Sequence, residues 1–232
     1  MRIAMWSGPR NLSTAMMYAF GNRADFAAWD EPFYAAYLKE SGIDHPMRDA
    51  ILAGHECDPD KVAARCAGPI PGGKPHFYMK HMALHMEGFP MDWAAECVNI
   101  HLIRHPARVV ASYAAKRESP TFHDIGFQQQ ADVFERFPGP VVDSADIRRD
   151  PEGMLHALCD AVGLAFDPAM LAWPSGPKSF DGVWAAHWYE TVHCSTGFAG
   201  AEGPLPKVDG CATALIDEAL PFYERLRTVA LS

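Results

Sequence analysis

Short apolar runs alternate with segments of helical periodicity along the chain. The apolar runs are typical of buried strands and lie at residues 2–6, 26–29, 76–80, 98–103 and 140–142. Helical patterns lie at 13–20, over most of 33–66, at 107–116, after Asp150-Pro151 up to Gly163, and from about 213 to 229. This alternation predicts an α/β fold with a mainly parallel central sheet and helices on both faces, built as one domain over residues 1–232.

A turn-forming segment separates the first strand from the first helix. It reads Ser7-Gly8-Pro9-Arg10-Asn11-Leu12-Ser13-Thr14. At such a switch, backbone N–H groups and the positive end of the helix dipole face one anion, and this segment adds one guanidinium and two hydroxyl groups. The second glycine and the lysine of the GxxxxGK[ST] loop of ATP-using enzymes are missing. The segment therefore predicts a phosphate-binding loop, with an ordinary N-capped helix start as the alternative.

A second candidate anion site lies at another strand-to-helix switch. Arg104 directly follows the strand at 98–103, and Ser112 stands eight residues later in the predicted helix. A guanidinium fork and a hydroxyl group are together suited to one phosphate group. The alternatives are a surface ion pair for Arg104 and a structural role for Ser112. Two anion sites fit a doubly phosphorylated ligand.

The composition is that of a globular protein, with 49% hydrophobic and 21% charged residues. A net charge of −9 argues against a nucleic-acid-binding surface, because such surfaces gather positive charge. Neither a membrane-spanning stretch nor a signal peptide is indicated, so a cytoplasmic location is expected. The six cysteines form no CxxC pair and the histidines no ligand pattern, so no metal site is expected.

The two anion motifs resemble those of sulfotransferases that use 3′-phosphoadenosine 5′-phosphosulfate. In that family a Pro-Lys/Arg-Ser-Gly-Thr-Thr loop holds the 5′-phosphosulfate, and an Arg-x-Pro segment with a later serine holds the 3′-phosphate. Here residues 9–14 resemble the first motif, and Arg104-His105-Pro106 with Ser112 resembles the second at the same spacing. The resemblance implies a P-loop type of fold, this compound as the donor substrate, and no metal ion.

The resemblance continues beyond these motifs but weakens toward the C-terminus. Asp150-Pro151 and a helix that ends in Val162-Gly163-Leu164 are similar to the corresponding family segment, so the resemblance spans about residues 1–165. The basic Arg-Lys-Gly segment of the family is reduced here to Lys178-Ser179-Phe180-Asp181-Gly182. This departure leaves the residues that would cover the adenosine unassigned.

Four residues are candidates for the chemistry that the resemblance implies. Sulfuryl transfer requires in-line positioning and neutralisation of charge on the transferred oxygens, and Arg10 and Lys80 are candidates for the cations. Glu31 and His81 are candidates for the base that deprotonates the acceptor. Glu31-Pro32-Phe33 resembles the Glu-Pro segment of bacterial carbohydrate sulfotransferases. We prefer Glu31, because His81 stands one position early for the Lys-x-His of cytosolic sulfotransferases and faces the other side of an extended strand.

The acceptor is expected to be a small-molecule or carbohydrate-like compound with a hydroxyl or amine group. Residues 33–75 and 114–138 are expected to face it, because they connect elements at the presumed ligand edge of the sheet. One aromatic run is predicted either to stack on the adenine, to line the acceptor pocket or to pack on the domain; it comprises Trp184, His187, Trp188 and Tyr189.

Two other functions remain open from the sequence. In a P-loop kinase or nucleotide hydrolase, Thr14 and Asp143 would share Mg²⁺, although the missing GK[ST] sequence weakens this reading. In a non-catalytic nucleotide-binding or interaction module, the fold would persist without group transfer. The departures at Asn11 and Leu12 from the family loop keep the second alternative open.

Overall fold

The computed structural model describes residues 1–115, 119–208 and 210–232. In this part of the chain, five strands form one parallel sheet in the order β2-β3-β1-β4-β5. The strands are β1 Arg2–Ser7, β2 Phe26–Asp30, β3 His76–Met82, β4 Val98–Ile103 and β5 Val141–Asp143. The predicted α/β class with a mainly parallel sheet is confirmed.

Helices cover both faces of this sheet, and they include helices between residues 122 and 149 and between 185 and 193 that the sequence pattern did not predict. They are α1 Ser13–Gly21, α2 Tyr34–Ser41, α3 Arg48–Gly54, α4 Pro59–Ala67, α5 Pro106–Ala115, α6 Phe122–Ile125, α7 Phe127–Arg136, α8 Ser144–Arg149, α9 Pro151–Ala161, α10 Ala185–Trp188, α11 Glu190–His193 and α12 Cys211–Arg227. Short 3-10 helices lie at Pro71–Gly73, Ala83–Met86, Asp92–Glu96 and Pro168–Leu171. The predicted helix end at Lys116 lies outside the described residues.

The central strand β1 shows why these apolar runs form a sheet that is buried on both faces. Ile3 and Met5 pack in one core with residues of α1 and α9, whereas Ala4 and Trp6 pack in another with residues of α4 and α7. Alternate side chains of a strand point to opposite faces, so a strand that is covered on both sides must be apolar throughout. Each of these four residues is fully buried.

The strand order fixes the edge at which a ligand can bind. From β1 the chain continues to β2 and β3 on one side, and from β4 it continues to β5 on the other side. In open parallel sheets, ligands bind at the carboxyl ends of strands where the connections diverge in this way. The loops after β1 and β4 therefore meet at the expected position for a ligand.

Strand β3 is longer than predicted. It pairs with β1 as far as Ser7 opposite Met82, so the strand includes His81 and Met82, beyond the predicted end at Lys80. Lys80 stands between Met5 of β1 and Asp30 at the end of β2.

No helix in the described ranges combines the length and the apolar character that crossing a bilayer would require.

Candidate active site

The loop after β1 is pinned to the neighbouring strand β4 by Asn11. The Asn11 Nδ2 group donates a hydrogen bond of 2.9 Å to the carbonyl oxygen of Leu102, and its Oδ1 accepts one of 2.8 Å from the Leu12 amide. Arg10 adopts a left-handed backbone conformation with a φ of 54°. At Gly8, a Cβ atom would lie 3.1 Å from the Ile125 carbonyl oxygen. The loop is thus closely packed and fixed in position.

The N-terminus of α1 is not capped by a side chain. Leu12 occupies the N-cap position, and an aliphatic side chain cannot accept a hydrogen bond from the amides of the first turn. Ser13 and Thr14 follow as the first residues of the helix. These amides and the helix dipole are suited to an anion, which favours the phosphate loop over the ordinary N-capped start.

The second predicted anion motif lies directly beside this loop. Arg104, which follows β4, donates a hydrogen bond of 2.6 Å through Nη1 to the carbonyl oxygen of Arg10. Ser112 lies on α5 and is half-buried. Two segments that are 94 residues apart in sequence are therefore in direct contact at the edge where β1 and β4 end.

Two further arginines, which the sequence did not single out, lie beside Arg104. Arg104, Arg108 and Arg148 all contact the carboxylate of Glu202, at 2.5 Å, 2.8 Å and 2.9 Å. Arg108 stands four residues after Arg104 on α5, and Arg148 belongs to α8. The Glu202 side chain is only 4% exposed. This arginine cluster concentrates positive charge in a chain of net negative charge.

A buried group of four polar residues lies at the ends of β2 and β3. The Lys80 ammonium group donates hydrogen bonds to Asp30 Oδ1 at 2.9 Å, to Glu31 Oε1 at 2.5 Å and to the Tyr189 hydroxyl at 2.7 Å. The Tyr189 hydroxyl in turn donates to Asp30, and the Gly182 amide donates to Asp30 Oδ2 at 3.1 Å. Every member of the group has a hydrogen-bond partner, as buried polar groups require.

These contacts engage all three donors of the Lys80 ammonium group. Burial by itself lowers the pKa of Lys80, but the charges of Asp30 and Glu31 outweigh it and hold this pKa well above its ordinary value. These contacts favour the charged form of Lys80. They also orient Glu31, and the expected role of Lys80 in neutralising the transferred group stays a prediction.

Glu31 is held in a left-handed backbone conformation, with a φ of 36°. Its second carboxylate oxygen, Oε2, lies 3.9 Å from Nδ1 of His85. The His85 ring is stacked between the rings of Tyr34 and Tyr37, with centroid distances of 4.8 Å and 4.6 Å. Burial lowers the pKa of His85 to about 3, so the imidazole is neutral at pH 7. One carboxylate oxygen is thus fixed by Lys80, and the other faces the His85 imidazole.

The structure does not bring His81 to this group. His81 lies on the opposite face of β3, stacked on Trp6 at 4.6 Å and beside Trp93 at 4.9 Å. Both ring nitrogens are buried without a hydrogen-bond partner among the described residues. Burial lowers the pKa of His81 to about 3. Successive strand residues face opposite sides, so the placement of Lys80 at the buried polar group turns His81 away.

The environment of His81 leads to a test of stability against pH. Its pKa is about 3 in the folded protein and about 6.5 in an unfolded chain, so the unfolded state binds the extra proton between these values. His81 therefore stabilises the fold fully above pH 6.5, and this contribution decreases as the pH falls toward 3, at about 1.4 kcal/mol per pH unit. The variant His81→Phe lacks this contribution. Between pH 6.5 and 4 its free energy of unfolding, measured by urea denaturation, should therefore decrease by about 1.4 kcal/mol per pH unit less than that of the wild type.

Phenylalanine is the suitable replacement because it keeps the ring and removes no hydrogen bond. His156→Gln, an exposed substitution on α9, serves as the control and should leave the slope as in the wild type. An unchanged slope in His81→Phe would show that His81 is already protonated in the folded protein above pH 4.

Arg10 extends from the loop after β1 toward aromatic residues. Its guanidinium carbon lies 5.0 Å from the ring centroid of Tyr113 and 5.1 Å from that of Trp188. Trp188 also contacts the ring of His45 at 5.5 Å, and His45 hydrogen-bonds the Tyr34 hydroxyl. The structure thereby connects the anion loop, the aromatic run at the end of α10 and the residues around Glu31.

Comparison with known proteins identifies the family to which this chain belongs. The family model of the Sulfotransferase domain matches residues 1–230. The chain belongs to the sulfotransferase family. The resemblance that the motifs of residues 9–14 and 104–112 indicated is confirmed.

Relatives of this sulfotransferase chain are found among curated and structurally known proteins. Branched-chain-amino-acid aminotransferase-like proteins 1 and 2 of Arabidopsis thaliana are each 36% identical to it over 97% of its length. The chain spans 41% of the length of these relatives.

Solved structures share the fold. The sulfotransferase domain from the curacin biosynthetic pathway has a TM-score of 0.53 at 15% identity, covering 94% of this chain and 96% of that one. A sulfotransferase from Alicyclobacillus acidocaldarius has a TM-score of 0.54 at 11% identity, covering 97% of this chain and 94% of its own.

The reduced basic segment of the C-terminal third lies beside the buried polar group at Lys80. The Lys178 ammonium group donates to the carbonyl oxygens of Pro174 and Gly176 within its own loop. Gly182 hydrogen-bonds the buried Asp30, so this segment closes the site around Lys80. The segment that contacts Arg104 comes later and carries Glu202.

Proposed function

We propose that this sulfotransferase transfers a sulfuryl group from 3′-phosphoadenosine 5′-phosphosulfate to a hydroxyl or amine of a small-molecule or carbohydrate-like acceptor in the cytoplasm. The observation that carries the proposal is the hydrogen bond from Arg104 to the Arg10 carbonyl oxygen. This hydrogen bond joins the two anion motifs at one edge of the sheet. A donor with phosphate groups at both ends of one nucleoside requires two anion sites that lie this close together.

The residues present fit the two ends of this donor. The open amides at the start of α1 and the residues from Gly8 to Thr14 are suited to the 5′-phosphosulfate, with Arg10 adding the charge. Arg104 and Ser112 are assigned to the 3′-phosphate. The Arg104 Nε atom is buried without a hydrogen-bond partner among the described residues, so a donor group there is available to a ligand.

Glu31 is assigned as the base. In the transfer, the acceptor oxygen or nitrogen loses its proton to the carboxylate, its bond to sulfur forms, and the bond between sulfur and the 5′-phosphate oxygen breaks. Lys80 contacts both Asp30 and Glu31, and these contacts hold the Glu31 carboxylate in a fixed position. A fixed base loses little entropy on reaching the transition state. His81 is assigned to core packing.

The kinase alternative receives little support from Asp143 and Asp146. Asp143 accepts hydrogen bonds from the Ala145 amide at 2.8 Å and from the Tyr223 hydroxyl at 2.7 Å, as an N-cap of α8. Asp146 pairs with Arg149 and Arg227, at 2.8 Å and 2.9 Å. Both carboxylates are engaged by the protein, which disfavours their use as Mg²⁺ ligands.

Thermal unfolding with added nucleotides tests the proposed donor. Adenosine 3′,5′-bisphosphate at about one hundred times its Kd should stabilise the protein by roughly 2.7 kcal/mol, or about 5–10 °C in Tm for a chain of this size. We expect a smaller shift with ADP and no added effect of Mg²⁺. Arg104→Met should abolish most of the bisphosphate shift, whereas Arg136→Gln, on the exposed part of α7, should retain it.

The other outcomes distinguish the alternatives. A larger shift with ATP and Mg²⁺ than with the bisphosphate would support a kinase or nucleotide hydrolase. Absence of any nucleotide effect would support a non-catalytic module.

A further inference from the structure

Residues 199–208, here called the Glu202 segment, lie across the arginine cluster. The segment reads Ala-Gly-Ala-Glu-Gly-Pro-Leu-Pro-Lys-Val and contains no helix or strand. Most of its residues are exposed, and Leu205 is 48% exposed. Since little apolar surface is buried here, polar contacts must hold the segment in place.

The arginine cluster supplies these polar contacts. Arg104 and Arg148 both donate to Glu202 Oε1, and Arg108 Nε lies 2.8 Å from Glu202 Oε2. Two backbone contacts accompany them: Arg108 donates to the Gly203 carbonyl oxygen and Arg148 to the Gly200 carbonyl oxygen, at 2.5 Å and 2.9 Å. All three side chains therefore hold the carboxylate, and Arg108 and Arg148 also hold the flanking backbone.

The charge of the arginine cluster exceeds what one carboxylate neutralises. Three guanidinium groups, with side chains 15–24% exposed, face a single negative charge. The buried Nε atom of Arg104 also lacks a partner among the described residues. A phosphate monoester brings nearly two charges and three acceptor oxygens, and arginine forks bind it in a bidentate manner. The cluster is therefore better matched to a phosphate group than to Glu202.

We infer that the Glu202 carboxylate occupies the position of the donor 3′-phosphate, and that the phosphate displaces it and takes Arg108 and Arg148 as ligands together with Arg104. The inference rests on the proposed function. Displacement releases the Glu202 segment as a unit, because its carbonyl contacts depend on the same arginines. A nucleotide without a 3′-phosphate has no group with which to compete, so the exchange selects for the 3′-phosphorylated donor.

An internal competitor lowers the apparent affinity for a ligand, because only the molecules in which the competitor has left the site can bind that ligand. Removing its charge should therefore tighten the binding of adenosine 3′,5′-bisphosphate by about tenfold in Glu202→Gln, as measured by isothermal titration calorimetry. The Kd for ADP should change less than about twofold, because ADP does not reach the cluster. Glu218→Gln, an exposed change of the same charge on α12, is the control and should leave both constants unchanged.

A second variant tests the added ligands independently. Arg148→Gln should weaken binding of the bisphosphate by about tenfold and leave the Kd for ADP unchanged. Thermal unfolding without ligand establishes that each variant is folded.

The outcomes separate this inference from the proposed function. If Glu202→Gln binds the bisphosphate as the wild type does, or more weakly, Glu202 is a structural partner of the arginines and the inference is overturned while the donor assignment stands. If Arg148→Gln binds it with unchanged affinity, Arg148 is not a phosphate ligand and the inference fails in that part. If the bisphosphate binds neither the wild type nor Glu202→Gln, both the inference and the proposed function are overturned.

Discussion

Glu31→Gln is expected to lower the turnover number by about 10²- to 10⁴-fold, the usual contribution of a positioned general base. Glutamine keeps the shape of the side chain, and its amide oxygen can still accept the hydrogen bond from Lys80. The variant therefore removes the proton acceptor without leaving Lys80 unpaired. Affinity for adenosine 3′,5′-bisphosphate should be unchanged, because Glu31 lies outside residues 8–14, the loop proposed to hold the donor.

The measurement is release of the bisphosphate product with an acceptor found by screening hydroxyl and amine compounds. Glu40→Gln, an exposed carboxylate on α2, provides a control that removes the same charge without touching the site. Retention of more than about a tenth of the wild-type turnover by Glu31→Gln would exclude Glu31 as the base, since a general base contributes far more. A loss of donor affinity with normal turnover would instead indicate a binding role.

Lys80→Met is expected to destabilise the fold by about 3–5 kcal/mol, the usual cost of removing one partner from a buried ion pair. Methionine fills much of the same volume, but Asp30 and Glu31 would lose the cation that compensates their burial. Asp30 is 1% exposed and would keep only the Tyr189 hydroxyl and the Gly182 amide as donors. The midpoint of urea unfolding should fall accordingly.

A double variant separates the charge effect from packing. In Lys80→Met/Asp30→Asn, the uncompensated carboxylate at position 30 is gone, so we expect the double variant to be more stable than Lys80→Met alone. Additive losses from the two substitutions would indicate that the two residues contribute independently and that the ion pair has no net coupling.

Much of the fold follows from local sequence features. Most strands are short, mainly apolar runs, and several helix boundaries have a local signal, such as Gly163, which takes a left-handed φ of 68° after α9. The end of β3 was predicted two residues early, at Lys80, because Lys80 and His81 are polar residues and resemble the end of a buried strand. Their burial is permitted only by partners from distant segments, and a local pattern contains no information about those partners.

The distinction between local patterns and contacts of distant segments also applies to the residues of the site. The loops after β1 and β4 were predicted because each lies at a strand end with its own charged residue. Tyr189 was noted only as part of an aromatic run, yet its hydroxyl contacts Asp30, 159 residues earlier in the chain. Arg148 and Glu202 belong to two segments that the sequence treated as unrelated. Arg108, by contrast, lies only four residues after Arg104 in sequence, in the first turns of α5.

Trp188 and Tyr189 are consecutive residues that touch different parts of the site. The first lies against Arg10, and the second hydrogen-bonds Lys80. Because both contacts belong to one short stretch of backbone, we expect donor binding at residues 8–14 to change the acceptor affinity. Such a linkage is reciprocal, so the acceptor should change the donor affinity by the same factor. Binding constants measured for each ligand alone should then differ by this factor from those of the ternary complex.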